Sequence, residues 1–222
     1  MNAQRLDPTL TTRRDIVRVT RDLSAAAAEF PTATLHEAAG KIGALPWAIK
    51  PVASSFRLCG PAVTVQAPGG DNLWLHRALD AAESGDVLVV HVSGAYDHGY
   101  WGEIMSTAAQ ARGLGGLVID GCVRDGVLLE QIGFPAFARG LCIRGTGKDF
   151  GARGWINSPI LFHDVVVAPG DLVVGDGDGV MCVPRKQVPV VLDAARTRTQ
   201  FETEVLERLR NGESTLRIYG WA

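Results

Sequence analysis

Apolar positions in the middle of the chain fall into short runs that follow two different patterns. Some runs are apolar at consecutive positions and are bounded by glycine or proline, which is typical of strands buried on both faces. Others repeat apolar side chains at helical spacing. The predicted strands cover residues 60–68, 86–92, 116–120 and 135–138, and the predicted helices cover residues 71–85, 102–113 and 125–133. Their alternating order predicts an α/β fold with a parallel sheet and crossover helices.

The chain before this α/β unit is predicted to begin with a helical leader over about residues 1–33, in which Pro31 ends a short alanine-rich helix. A second short helix follows. Its early threonines, Thr32 and Thr34, are residue types that can cap a helix, and Gly40 can close it.

The chain after the α/β unit changes character. Residues 164–184 contain β-prone runs separated by glycine-rich turns, which predicts a meander of short strands. Residues 185–212 predict a long, charged C-terminal helix, in which Pro189 marks either the first turn or a break. We expect residues 1–222 to form one domain, because their number suits a single core.

Charge and cysteine content exclude several classes of function. Charged residues make up 21% of the chain and the net charge is -2, so nothing favours nucleic acid or an anionic membrane as partner. No apolar run approaches the roughly 20 residues that span a bilayer, and no signal-peptide core is evident, so we expect a cytoplasmic protein. The four cysteines lack CxxC or zinc spacing, which favours buried thiols, with Cys122 the best placed to act as a nucleophile.

A glycine-rich loop leads from the second predicted strand to a helix that begins near Gly102. The first N–H groups of a helix lack intrahelical acceptors, and the helix dipole attracts anions, so Ile104 and Met105 could bind a carboxylate through their main chains. Glu103 adds a carboxylate in the same turn. Taken alone, Glu103 fits better an exposed residue of the first turn that only complements the dipole.

A polar pair follows the predicted strand over residues 116–120. Arg124 presents a planar guanidinium that matches a carboxylate or 2-oxo acid, and Asp125 offers hard oxygen ligands to Mg²⁺ or Mn²⁺. Ligands of open α/β sheets bind beyond the carboxyl ends of the strands, where this pair lies. The adjacent charges equally fit a local ion pair and helix cap.

These two stretches follow neighbouring strands, so Glu103 should meet Arg124 and Asp125 at one edge of the sheet. Together they supply a cation, two carboxylates for a metal and free helix N–H groups. Enolate chemistry needs such a set, because a metal polarises the 2-oxo group and the arginine neutralises the developing negative charge. The sequence therefore predicts a metal-and-oxyanion site on residues 102–105 and 124–125.

Other candidate residues give weaker signals. His98 is the histidine best placed to act as a general base, although structural and exposed histidines are commoner. The remaining histidines are His36, His76, His91 and His163. No sequence context favours a Schiff base at Lys50, Lys148 or Lys186. The aromatic residues Tyr96, Tyr100 and Trp101 could line a pocket or simply pack in the core.

Several motifs occur together in a distinctive order. They are GEIM at residues 102–105, DGCVRD at 120–125 with twenty residues between Glu103 and Arg124, and the longer stretches GPAVTVQAPGGDNLWLHRAL, GDVLVV and PGDLVVGDGDGVMCVP. The chain thereby resembles the 4-hydroxy-4-methyl-2-oxoglutarate / 4-carboxy-4-hydroxy-2-oxoadipate aldolases, a family that also contains the RraA-like regulators of ribonuclease E. The resemblance implies a swivelling β/β/α domain assembled as homotrimers or dimers of trimers.

The resemblance also implies a reaction. It is the retro-aldol cleavage of a 4-hydroxy-2-oxo acid with two or three carboxylates, which gives pyruvate and uses Mg²⁺ or Mn²⁺ without a Schiff-base lysine. Oxaloacetate decarboxylation would follow from the same enolate chemistry. In this mapping Asp125 is the direct metal ligand. Glu103 and, from a neighbouring subunit, Glu202 reach the metal through water.

The same mapping assigns the substrate contacts. Arg124 would hold the pyruvate oxygen and stabilise the enolate, while the turn that begins at Gly102 would bind the pyruvate carboxylate through the N–H groups of Ile104 and Met105. A base, acting through water, would remove the proton of the C4 hydroxyl.

Two positions depart from the family pattern and leave the substrate open. Reference aldolases carry Asp where this chain has Glu103, and the wider family often has an acidic residue where Leu128 stands, with Glu130 nearby but out of register. A competing hypothesis is a non-catalytic RraA-type protein that binds and regulates ribonuclease E. A third is a related lyase that acts on another oxo acid.

Overall fold

The structure, a computed structural model, describes residues 7–222. Its strands are β1 (Lys50–Pro51), β2 (Leu58–Gln66), β3 (Val87–His91), β4 (Gly116–Ile119), β5 (Cys122–Val123), β6 (Ala136–Ala138), β7 (Gly140–Leu141), β8 (Trp155–Ile156), β9 (Ile160–Phe162), β10 (Val165–Val167), β11 (Leu172–Asp176) and β12 (Gly179–Val183). Its α-helices are α1 (Arg21–Ala28), α2 (Thr32–Ala38), α3 (Leu73–Ala81), α4 (Glu103–Ala111), α5 (Gly126–Ile132), α6 (Val188–Arg210) and α7 (Thr215–Ile218), preceded by a 3₁₀ turn at Pro8–Thr11.

The main sheet is mixed, with the order β1-β6-β4-β3-β2-β11-β12, and β8 pairs with β2 beside this path. Its centre is parallel, because β2, β3, β4 and β6 run in one direction and are joined through α3, α4 and α5. The outer strands β1, β11 and β12 are antiparallel to their neighbours. The α/β fold with a parallel sheet and crossover helices is therefore confirmed.

Both faces of the parallel strands are buried, which explains their continuous apolar runs. In β3, Leu88 and Val90 pack into the cluster that also contains the apolar faces of α3 and α4. Val87 and Val89 pack on the opposite side, against residues of the antiparallel strands. The sheet therefore lies between two apolar layers.

The start of α2 differs from the prediction. Its N-cap is Pro31, and no threonine of the first turn caps the helix. The N–H of Thr32 instead donates to Asp176 Oδ2 at 2.8 Å. A carboxylate from the distant end of β11 thus replaces the local cap, which only the folded sheet can bring there.

The C-terminal part of the chain differs in detail from the predicted meander and helix. The strands β11 and β12 form a hairpin, in which Asp176 pairs with Gly179. The strand β10 pairs with β9 in a separate two-stranded sheet, so the predicted meander is not continuous. The helix α6 is unbroken and carries Pro189 in its first turn. Within residues 7–222, no helix is long and apolar enough to cross a membrane.

Candidate active site

Two loops meet where the parallel strands β3 and β4 end side by side. The N–H of Cys122 donates to the Tyr96 carbonyl at 2.9 Å, and the N–H of Arg124 donates to the Trp101 carbonyl at 2.8 Å. An isolated β-bridge between Gly99 and Cys122 lies between these contacts. Main-chain hydrogen bonds therefore hold the loop that leads to α4 against the loop that leads to α5.

This pairing brings the two parts of the predicted site, residues 102–105 and residues 124–125, into contact. Asp125 adopts the left-handed conformation at φ 62°, and its Oδ2 accepts a hydrogen bond from the N–H of Glu103 at 3.1 Å. Arg124 Nε lies 3.6 Å from the same oxygen. A Cβ on Gly102 would lie 2.3 Å from Asp125 Oδ2, so the glycine permits this close approach.

The first turn of α4 presents open N–H groups. In a helix, Ile104 and Met105 would donate to the carbonyls of residues 100 and 101. The Tyr100 carbonyl accepts a hydrogen bond from Asn72 Nδ2 at 2.9 Å, and the Trp101 carbonyl accepts the one from Arg124. Among the described residues nothing accepts a hydrogen bond from the N–H of Ile104 or Met105. Both groups are therefore available to an anion.

A cavity of about 250 Å³ lies over this turn. Predicted site residues and aromatic residues that line it are Tyr100, Trp101, Gly102, Ile104, Met105 and Arg124. Six further lining residues were not predicted to belong to the site, namely Asn72, His76, Gly99, Gly145, Thr146 and Lys148. Of these, the sequence analysis considered His76 only as a weak histidine candidate and Lys148 only as a lysine without a Schiff-base context. Asn72 and His76 lie in the GGDNLWLHRAL stretch that resembles the aldolase family, whereas Thr146 and Lys148 lie outside it. Nothing local indicated that residues near 72 and near 148 face one cavity.

Cationic groups border this cavity at two places. Arg124 lies beside the open N–H groups, and Lys148 lies on a separate loop together with Thr146. Burial, followed by the charge of Lys148, lowers the pKa of His76, whereas Asp71 acts in the opposite direction. The cavity is therefore suited to a ligand with more than one negative charge.

A second cavity of about 390 Å³ adjoins the first through Arg124. Asp125 lines it together with Leu141, Cys142 and Ile143. The side chains of Leu141 and Ile143 are exposed, so apolar surface surrounds the Asp125 carboxylate. Exposed apolar groups at a polar site mark a surface suited to contact with another molecule.

The metal-ligand candidates of one chain are few. Among the described residues, no three His, Cys, Asp or Glu side chains form a group that could hold a metal ion. Asp125 uses Oδ2 for its contacts with Glu103 and Arg124, and its Oδ1 has no hydrogen-bond partner in residues 7–222. One free carboxylate oxygen fits Mg²⁺, which keeps several waters and binds through one or two carboxylates.

Several other candidates lie outside the first cavity. Glu202 pairs with Arg198 on α6 at 2.8 Å and lines neither cavity of its own chain. His98 faces Asp97 at 3.5 Å and packs against Tyr100. The histidines that do not line the first cavity are His36, His91, His98 and His163. Of the chain's histidines, His76 is thus the one that borders it.

The cysteines and aromatic residues have mainly structural surroundings. Burial raises the pKa of the Cys122 thiol, assisted by Cys142, so a reactive thiolate is disfavoured. The Tyr100 hydroxyl donates to the Ala95 carbonyl at 2.6 Å, and Trp101 Nε1 donates to a serine hydroxyl. Both rings are buried, so they form the floor of the cavity.

Comparisons with known proteins identify the family of this chain. The RraA-like family, described as Aldolase/RraA, matches residues 26–182. A Halalkalibacterium halodurans protein, provisionally named a 4-hydroxy-4-methyl-2-oxoglutarate aldolase, is 36% identical over 179 residues, which span 81% of this chain and 84% of that protein. The chain spans most of this relative, so the similarity is not restricted to one motif.

Solved structures also match this chain over most of its length. The crystal structure of an uncharacterized Pseudomonas syringae protein matches with a TM-score of 0.80 and 28% identity, and the match covers 94% of this chain and 97% of that chain. A Streptomyces coelicolor protein, described as an unusual member of the RraA family of RNase ES inhibitors, matches with a TM-score of 0.75 and 25% identity over 86% of this chain and 98% of that chain. The chain therefore belongs to the RraA-like (Aldolase/RraA) family.

Proposed function

We propose that this protein is a divalent-metal-dependent aldolase that cleaves a 4-hydroxy-2-oxo acid with two or three carboxylates to pyruvate and a second oxo acid. One observation carries the proposal. The contact between the Glu103 N–H and Asp125 brings together a free carboxylate oxygen, the Arg124 guanidinium and two open N–H groups, at two adjoining cavities that share Arg124. The provisional aldolase name of the H. halodurans relative supports the same reaction class.

The open turn of α4 is the pyruvate-binding element in this proposal. The N–H groups of Ile104 and Met105 hold the substrate carboxylate, since a helix N-terminus favours an anion. Arg124 then faces the adjacent 2-oxo group. When the bond between C3 and C4 breaks, negative charge moves onto that oxygen, and the guanidinium stabilises the charge as it develops.

Asp125 is the proposed direct ligand of Mg²⁺ or Mn²⁺. When bound, the ion supplies Lewis-acid polarisation of the 2-oxo group. Glu103 and Glu202 of a neighbouring subunit are proposed to contact it through water. The hard, charged oxygens of these side chains suit either cation.

A loop separate from that of Arg124 selects the substrate class. This loop lines the cavity through Lys148 and Thr146, and the charge of Lys148 acts on His76. A second carboxylate on the substrate is therefore expected to bind near Lys148 while the pyruvate part binds at the turn of α4. Oxaloacetate fits the same scheme, because loss of its distal carboxylate leaves the same pyruvate enolate.

Apolar surface around Asp125 favours assembly of identical subunits. The exposed apolar side chains here are Ile104, Val127, Leu128, Leu141 and Ile143. We propose that a trimer, or a dimer of trimers, covers this rim and brings Glu202 of one subunit toward Asp125 of the next. Leu128 then belongs to a subunit contact.

Pyruvate release tests the proposal. We expect turnover of 4-hydroxy-4-methyl-2-oxoglutarate or oxaloacetate that requires Mg²⁺ or Mn²⁺ and falls at least about 100-fold in Arg124→Ala and Asp125→Ala, as typical for loss of a group that stabilises developing charge. Arg14→Ala is the matched control, because Arg14 forms only an exposed ion pair with Asp80. Turnover without metal, or full activity in both site variants, would contradict the proposed function.

A second candidate function is regulation of ribonuclease E, since the S. coelicolor neighbour is described as an RNase ES inhibitor. In that case the protein binds the ribonuclease without acting on an oxo acid. Binding to purified ribonuclease E, together with absence of metal-dependent pyruvate release from any tested oxo acid, would favour this function over catalysis.

A further inference from the structure

Asn72 occupies the N-cap position of α3 but makes no capping hydrogen bond. The neighbouring Asp71 takes that role, because its Oδ1 accepts a hydrogen bond from the N–H of Leu73 at 2.8 Å. Asparagine at an N-cap usually caps its own helix. Here its side chain is free to reach another element, and Nδ2 donates to the Tyr100 carbonyl at 2.9 Å.

The Tyr100 carbonyl is the acceptor that the N–H of Ile104 would use if α4 began one turn earlier. Gly102 is extended at φ -163°, so it separates this carbonyl from α4, and the hydrogen bond from Asn72 fixes the carbonyl in that position. The next carbonyl, that of Trp101, is fixed in the same way by the N–H of Arg124. Two separate contacts thus hold the segment before α4 in the arrangement that leaves the first N–H groups of the helix open.

The burial of the Asn72 side chain is energetically unfavourable. Asn72 is buried, and its Oδ1 has no hydrogen-bond partner among the described residues. A buried amide oxygen without a partner destabilises a protein, and an apolar side chain of similar size would avoid this penalty. The hydrogen bond that Asn72 Nδ2 donates to the Tyr100 carbonyl, before α4, therefore explains why an asparagine occupies this position.

We propose that Asn72 is a positioning residue, which holds the Tyr100 carbonyl so that the N–H of Ile104 stays open to the carboxylate of the ligand. The identity of this ligand rests on the proposed function, whereas the effect on the helix does not. The substrate carboxylate is bound before and during the reaction, so loss of Asn72 should raise KM much more than it lowers kcat.

Calorimetric titration with pyruvate in the presence of Mg²⁺ is the first test. We expect Asn72→Leu, which removes the donor at similar volume, to weaken pyruvate binding about tenfold, as expected when one hydrogen bond to a charged group is lost. KM should rise by a similar factor while kcat changes less than about twofold. Equal loss in kcat with unchanged KM would contradict a role in carboxylate binding.

Asn157 provides a matched control. It is also buried, its Nδ2 donates to the Arg13 carbonyl at 2.7 Å, and its Oδ1 has no partner among the described residues. It does not line the cavity. Asn157→Leu should leave pyruvate affinity unchanged, whereas Asn72→Leu, the same change at the proposed position, should weaken it. If both variants weaken binding equally, the effect is general destabilisation and the proposal fails.

Amide exchange of Ile104, measured by NMR on protein labelled with ¹⁵N-isoleucine, gives a readout that does not depend on activity. In the wild type this amide should exchange rapidly and become protected when pyruvate binds. In Asn72→Leu it should be protected without ligand, because the freed Tyr100 carbonyl can accept its hydrogen bond. An Ile104 amide that stays unprotected, with normal pyruvate affinity, overturns the proposal. A wild type that binds no pyruvate contradicts the proposed function, while this exchange comparison still tests Asn72.

Discussion

The Asp125 carboxylate accepts a hydrogen bond from the backbone N–H of Glu103 at 3.1 Å. This bond joins the start of α4 to the residue that begins α5, so the proposed metal ligand lies at a fixed distance from the open turn. Main-chain hydrogen bonds on either side, from Cys122 and Arg124, hold the same two loops together. The candidate site is therefore positioned by the backbone, and little reorganisation is needed when a ligand binds.

Gly102→Ala should impair this site without unfolding the protein. The added Cβ would lie 2.3 Å from Asp125 Oδ2, and this atom is the end of a side chain that can rotate away. The backbone of Gly102 is extended at φ -163°, so alanine brings no backbone strain. We expect metal-dependent pyruvate release to fall at least about tenfold, equivalent to about 1.4 kcal/mol, with little change in Tm.

Gly177→Ala is the control for that experiment, because a Cβ at Gly177 would meet no atom within 4 Å. It should keep full activity. A Gly102→Ala enzyme with wild-type turnover and metal dependence would show that the close approach to Asp125 has no role in catalysis.

Lys148→Met should weaken recognition of the second carboxylate. Lys148 lines the cavity from a loop separate from the turn of α4, so its charge is expected to act on the distal part of the substrate. We expect KM for a dicarboxylate substrate to rise about tenfold, while the affinity for pyruvate alone stays within about twofold. The exposed Lys186 provides the control variant Lys186→Met. Equal losses for pyruvate and for the dicarboxylate would contradict a distal role.

Lys148→Met should also change the titration of His76. Burial is the first cause of the lowered pKa of His76, and the charge of Lys148 is the second. Removing that charge should raise the pKa of His76, which should still remain below the ordinary value of 6.5 because burial persists. An NMR titration of the His76 ring measures this shift. An unchanged or lower value would show that Lys148 does not act on the imidazole.

The same lowered pKa has a consequence for stability. At pH values between 6.5, the ordinary pKa of histidine, and the lower pKa of His76 in the folded protein, the unfolded chain binds a proton at His76 that the folded protein does not bind. This contribution therefore destabilises the fold as pH falls through that window and is absent above it. His76→Gln should lose less free energy of unfolding than the wild type on acidification over the same range.

Arg18→Met should destabilise the fold strongly. Arg18 Nε and Nη2 donate to the two carboxylate oxygens of Asp86 at 2.8 and 2.9 Å, and the Asp86 side chain is fully buried. Removing the arginine leaves a buried carboxylate without its counter-charge, which costs about 3 kcal/mol of unfolding free energy. Arg14→Met breaks only the exposed pair with Asp80 and should cost less than about 1 kcal/mol. Urea denaturation compares the two variants, and equal losses would contradict this difference.

Much of the fold could be predicted because its central strands and helices carry strong local patterns. The continuous apolar runs of β3 and β4 indicated buried strands, and the structure has them in that arrangement. The cap of α2 could not be predicted, because Asp176 is distant in sequence from Thr32. The pairing of β10 with β9 was likewise decided by packing, since short strands have no pattern that selects a partner.

In the candidate site, Glu103, Arg124 and Asp125 follow neighbouring strands, so the sequence was enough to predict that they meet at one sheet edge. That Asn72 and Lys148 face the same cavity became evident only in the folded chain. The two cases differ because the interactions that decide them act over different ranges. Strand and helix periodicity is local and can be read along the chain, whereas a cavity wall is assembled from loops whose contacts exist only after the sheet has formed.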